Sequence, residues 1–338
     1  MGNIILSLVL AMLSYSMLNI GMGLQKKGAA SLPKIADESF IKNLKNFFTN
    51  KTWLLGFSLV QIQWFILALA LDFGSLSIVT PMMAFGMVTL VLFSYFYLKE
   101  PISKIEFGGI LSIITGIALL GVFNPKESEE YPLDYMNQAL AKISSILFLI
   151  VIFVASIILL LFSILKNYAY ADILFGIAAG IFDGIGAIFL KAYSGGFDFR
   201  EISAISSSAL RWEWWVYLVV LLFFNITATV FLQVAYQRGR AVIVAPIFAV
   251  IAMAVPVTGG IIILSEWSNL TPTMVTVKII SLIIISIGMI ILSISSARNK
   301  RFEEQSLEDK QEGINQPATT VNVSPNLSEK KTHQKEMS

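Results

Sequence analysis

Nine stretches of this chain stay apolar for about as long as a helix needs to cross the hydrocarbon core of a bilayer, roughly 20 residues. They run over approximately 3–24, 53–72, 75–98, 107–123, 143–165, 171–191, 213–235, 241–264 and 275–295. Lipid offers no water to satisfy backbone N–H and C=O groups, so segments of this length fold as helices, which close their own hydrogen bonds. Barrel strands are excluded, because they would be far shorter and would alternate apolar with polar residues. The chain is therefore read as an all-α polytopic membrane protein with nine transmembrane helices. Composition agrees: only 14% of the 338 residues are charged, against about 25% in a soluble domain.

The same composition removes several classes of function. A net charge of +2 gives no basic signature for nucleic acid. The absence of Cys excludes disulfides, thiolate metal sites and a Cys nucleophile. The single His, His333, lies in the polar tail, so no His acts in catalysis or proton relay within the membrane. There is no Walker-type nucleotide loop and no Ser/His or metal-ligand constellation. An enzyme is not expected, nor is a resident cofactor. The first apolar stretch lacks a basic lead and a small-residue cleavage site, and is read as a retained helix.

Loop charges set the orientation. Lys26, Lys27, Lys34, Lys42, Lys45, Lys51, and further Lys and Arg residues from Lys99 to Arg301, fall on one side. Fewer fall on the other, which places the N-terminus outside and the tail in the cytoplasm, in the cell membrane. Within the first loop, about 37–49, Phe40, Ile41, Leu44, Phe47 and Phe48 share one helical face, with Lys42 and Lys45 on the other. That pattern predicts an amphipathic helix lying at the headgroup boundary. Residues 298–338 are polar and poor in aromatics, and are read as a disordered tail.

Shifting the chain by 165 residues superimposes Gly21 on Gly186, Lys26 on Lys191, Gly74 on Gly239 and Pro81 on Pro246. GSLSIVTP (74–81) then matches GRAVIVAP (239–246), and with one insertion Glu100 matches Glu266. The units are 1–166, with five spans, and 167–297, with four. An odd number of spans makes the second unit enter from the opposite side, giving an inverted 5+4 repeat of the kind found in secondary transporters. The fifth span has no counterpart, which points to self-association as a homodimer.

Polar groups at mid-span depth are the candidate path residues. Asp183 leads, because a carboxylate in the hydrocarbon core is costly by about 3 kcal/mol or more and calls for a cation, water or a proton. Asn19 falls beside it under the shift, and Asn225, Gln63 and Gln61 sit in spans seven and two. For the amides, interhelical hydrogen bonding is the commoner role. Pro81 and Pro246 free carbonyls from their helices, either to line a path or only to kink the span. Lys26 and Lys191 are read as anchors that snorkel to the interface, and Glu100 and Glu266 as capping or ion-pairing groups.

NIGMGLQKKGA (19–29), SIVTPMMAFGMVTLVLFSYFYLKE (77–100), NPKESEE (124–130) and AVIVAPIFAVIAMAV with LSEW (241–267) resemble NIPA-type magnesium transporters of the drug/metabolite transporter (EamA-like) superfamily. The resemblance implies the fold of that superfamily and Mg²⁺ or a related divalent cation as substrate; Asp183 is the candidate metal contact from its own chemistry, since Mg²⁺ prefers carboxylates, carbonyls and retained waters. At Asp183 the chain departs from the family pattern, where a small residue is expected. Two other readings stand beside it: a proton-coupled exporter of a small organic metabolite or amine, and a non-transporting membrane scaffold. In each case the partners are the lipid bilayer and, for a transporter, the ion or small molecule carried.

Overall fold

The computed structural model describes residues 2–32, 40–98, 102–122, 131–168, 170–197, 207–238 and 241–315. Among these residues nine helical spans are long and apolar enough to cross a membrane, and there is no strand. The expected all-α architecture is therefore the observed one. The spans are α1 (Gly2–Ala30), α3 (Lys51–Phe73), a third and broken span, α6 (Lys104–Val122), α8 (Ile143–Leu165), α9 (Ala171–Ser194), α10 (Trp212–Arg238), α11 (Ala241–Ile262) and α12 (Pro272–Asn315). The broken span is α4 (Leu76–Val79), a 3-10 turn (Thr80–Met82) and α5 (Met83–Phe93). Two short helices, α2 (Phe40–Thr49) and α7 (Leu133–Ala141), complete the set.

The first loop carries the amphipathic α2 where the charge pattern expects a helix. Lys42 and Lys45 are exposed, and Phe47 and Phe48 pack on Trp53 with ring centroids 5.2 and 5.4 Å away. Asn50 joins this corner together: its side-chain oxygen accepts from the Trp53 N–H at 3.0 Å, capping α3, and its Nδ2 donates to the Gly28 carbonyl. The tail differs from expectation as far as Asn315, since residues 298–315 are helical. Their Glu, Gln, Lys and Leu residues are strong helix formers, and that propensity outweighs the lack of apolar periodicity. Glu100, the NPKESEE run and residues 316–338 lie outside the described residues.

Helices in lipid gain little from burying apolar surface, so close packing of small residues decides which of them meet. α1 packs along α3 and α5, and α9 packs along α10 and α11. On α5, Gly86 lies against the α1 backbone, where a Cβ would stand 2.7 Å from the Tyr15 carbonyl oxygen. On α9, Gly180 lies against α11, where a Cβ would stand 2.7 Å from Ile251 Cβ. The two contacts are related by the 165-residue shift, which carries Tyr15 to Gly180 and Gly86 to Ile251. α6 and α12 interlock reciprocally, with Gly116 under Ile285 and Gly288 under Ile113. α8 buries Ser145, Ser156, Leu160 and Ser163 and leaves a broad apolar face, including Leu147, Val151 and Ile158, uncovered.

Gly180→Ala forces carbon onto Ile251 and the Phe248 carbonyl, so it is expected to destabilise by about 1–3 kcal/mol, the usual range for overpacking. Gly108 has nothing within 4 Å of such a carbon, and Gly108→Ala is expected to leave stability unchanged or slightly higher. Unfolding temperatures of the two variants in the same detergent test the contrast.

Candidate functional site

The break between the second and third spans organises the charged residues at one end of the bundle. α3 ends at Phe73, Gly74 and Ser75 are extended, and α4 begins at Leu76 with no capping bond from the Ser75 side chain. A helix end inside a protein leaves carbonyls and N–H groups without intrahelical partners. Here both sets are met by side chains from far along the chain. Glu266 accepts from the Leu76 N–H at 2.7 Å and from the Ser77 N–H at 2.9 Å. Lys191 donates to the Leu71 carbonyl, and to the Gly74 carbonyl at 3.0 Å. An anion at a helix N-terminus and a cation at a C-terminus also suit the helix dipole.

Lys191 is 1% exposed, with its Nζ 4.9 Å from the centre of the Tyr131 ring. The snorkelling role expected from the sequence is therefore corrected: the end of α3 offers buried acceptors within reach, and the side chain turns to them. Asp72 and Glu266 are the acidic groups that face it. Lys278, 2% exposed, lies against Trp267 and also faces Glu266. Burial pushes the Glu266 carboxyl above the usual range, partly offset by the hydrogen bonds from Ser77 and Leu76 and by the Lys191 charge.

Asp183 lies two turns further into the bundle on α9 and is half-buried. Tyr15 of α1 is near enough to interact with it electrostatically, although α1 and α9 are not packed along each other. Asn225 of α10 sits on Gly186, one turn beyond Asp183, and spends its Nδ2 on the Leu221 carbonyl at 2.9 Å. Asn19 of α1 lies against Gly86 and spends its Nδ2 on the Tyr15 carbonyl, also at 2.9 Å. Each amide thus uses its donor within its own helix and keeps its oxygen as an acceptor. Tyr15 escaped the sequence reading; its position four residues before Asn19, on the same face of α1, was the available signal.

The other candidates divide. Gln63 is buried, and its Oε1 accepts from the Ser14 hydroxyl at 2.8 Å, which ties α3 to α1. Gln61 points the opposite way, since two residues turn a helix through more than half a circle, and it is exposed. It is not gathered with the rest. Pro81, in the 3-10 turn, withdraws the N–H that would close on the Ser77 carbonyl, and Pro246 does so for Val242 within α11. Both prolines are buried. No three His, Cys, Asp or Glu side chains come together as a metal cage among the described residues.

Gln63→Ala leaves the Ser14 hydroxyl short of a side-chain partner. It is expected to reduce stability by about 1 kcal/mol, read as a lower unfolding temperature that Ser14→Ala largely reproduces and that the double variant does not double.

Residues 3–299 match the family described as Magnesium transporter NIPA. The probable magnesium transporter NIPA9 of Arabidopsis thaliana is 27% identical over 295 residues, which cover 82% of this chain and 79% of that protein. No solved structure matches the chain. With nine membrane-crossing helices among its described residues and a match over nearly its whole length, the chain belongs to the NIPA family of magnesium transporters.

Proposed function

We propose that this protein moves Mg²⁺ across the membrane by receiving the ion, still carrying water, beside Asp183 in the space between α1 and α9. The observation that carries this reading is the position of Asp183: a half-buried carboxylate at mid-span, facing Tyr15 across two helices that do not pack together. Mg²⁺ sheds its water reluctantly, prefers oxygen ligands, and is usually held through one or two carboxylates with several waters retained. One carboxylate with the Asn225 amide one turn along α9 suits such a hydrated ion better than a bare one. Family membership favours the cation over an organic substrate.

The two contacts related by the 165-residue shift, Tyr15 with Gly86 and Gly180 with Ile251, support an inverted repeat as the basis of alternating exposure. In this proposal the N-terminus faces outside and the tail the cytoplasm of the cell, following the loop charges. Self-association through the uncovered face of α8 belongs to the same proposal, and crosslinking in native membranes that yields only monomer removes it.

Asp183→Asn keeps size and hydrogen bonding but deletes the charge. Mg²⁺ influx into proteoliposomes, followed with an entrapped Mg²⁺-sensitive dye, is expected to fall about tenfold or more, the equivalent of at least 1.4 kcal/mol of lost interaction. Asp183→Glu is expected to retain part of the flux. Unchanged influx in the Asn variant would remove Asp183 from the path.

A further inference from the structure

We infer that Lys191 and Glu266 are positioning residues for transport, which lock the break between the second and third spans to the second half of the chain and keep this end of the ion path shut. The inference rests on the transport reading above for its purpose, but its geometry is independent of which ion is carried. Glu266, in the connection from α11 to α12, holds the two N–H groups that start α4. Lys191, near the end of α9, holds the carbonyls that end α3. Two groups from one half of the chain thus fasten a discontinuity in the other half from both of its sides.

Several features show that this contact is built for close approach. Gly260 lies directly against the Glu266 carboxyl group, where a Cβ would stand 2.7 Å from its Cδ. The Tyr131 ring stands over Lys191, and the Tyr135 hydroxyl donates to the Leu264 carbonyl at 3.2 Å, two residues before Glu266. At the ion position the halves meet less: α1 and α9, which flank Asp183, are not packed along each other, although α6 and α12 interlock between the halves. The lock is tied to the ion position by a rigid element, because Lys191 follows Asp183 by eight residues on α9, about 12 Å along the axis. The break between the spans supplies the moving part: Gly74 and Ser75 are extended and carry no helical bond from α3 to α4, so the start of the third span can shift against the end of the second once the two side chains release it. A discrete contact of this kind has two arrangements, held or released, and a change in its strength shifts the population between them.

The natural absence of Cys allows a direct test. Ser75→Cys places a thiol in the break at a half-buried residue whose hydroxyl pairs with the Ser77 hydroxyl at 3.3 Å. In lipid nanodiscs, where both faces of the bilayer meet a polar maleimide, this thiol is expected to label slowly. Adding Glu266→Gln, which keeps one acceptor oxygen but removes the charge, is expected to raise the rate about tenfold, as loss of a charge-assisted hydrogen bond from one of two states does. Glu266→Asp is expected to fall between, and Lys191→Arg, which keeps the charge and the donors, to stay slow. Ser14→Cys, in the seam between α1 and α3, is the control and is expected to label equally slowly with or without Glu266→Gln. If both thiols speed up together, or if the thiol in the break is as slow with Glu266→Gln as without it, the lock is overturned. Mg²⁺ flux in the same preparations separates the two readings. Normal flux with no change in labelling at the break sinks the lock alone, whereas absent flux in the parent with the expected change in labelling sinks the transport reading and leaves the lock.

Discussion

Where two membrane helices join in a buried turn, the N–H and C=O groups at their ends lack helical partners, and each one left alone costs several kcal/mol. The arrangement of this protein follows from how one such turn, between the second and third spans, is closed. At Gly74 and Ser75 the backbone stops being helical, and groups at the two helix ends are taken by Lys191 and Glu266. These side chains come from residues more than a hundred positions later, so the turn is satisfied only when the two parts of the chain have come together. Removing one partner would strand a buried charge, a loss usually worth about 3–5 kcal/mol. The pair is therefore as much a constraint on assembly as a contact within the finished fold.

Around that point, packing is governed by glycine rather than by large apolar residues. Gly86 against Tyr15 and Gly180 against Ile251 bring α5 onto α1 and α11 onto α9 to within backbone distance. Each central helix is thus bound tightly within its own half. The face each turns to the other half is freer, and Asp183 and Tyr15 occupy it. A carboxylate in a sealed seam could not exchange a hydrated ion. In the proposed reading Asp183 meets the ion because α1 and α9, the helices that flank it, are not packed along each other.

Much of this was legible in the chain itself. The spans were readable because length and hydropathy in lipid leave a single backbone solution. Glu266 as a capping group was readable because an acid at a span end meets few other needs. Asp183 stood out for the same reason at depth. The fate of the amides was not readable: Gln63 and Gln61 are two residues apart, yet one is bonded to Ser14 and the other is exposed, because only the position of α1 decides which face of α3 is inside. Lys191 was misread as an anchor, since a lysine near a span end can reach either the interface or an interior acceptor, and the end of α3 that supplies the acceptors is remote in sequence. The short helix α7 gave no signal, as its nine residues carry too brief a periodicity.

The sequence by itself determined the nine spans, the presence of an acid at mid-depth, and the amphipathic helix of the first loop. Each depends on the balance between a local stretch of residues and its solvent, and needs no knowledge of neighbours. Only the tertiary structure decided that Tyr15 faces Asp183, that Asn225 lies over the turn beyond it, and that Lys191 and Glu266 close the break between the second and third spans. Those relations depend on which helices approach one another, and in lipid that is settled by close fit between distant surfaces rather than by the apolar character that every span shares.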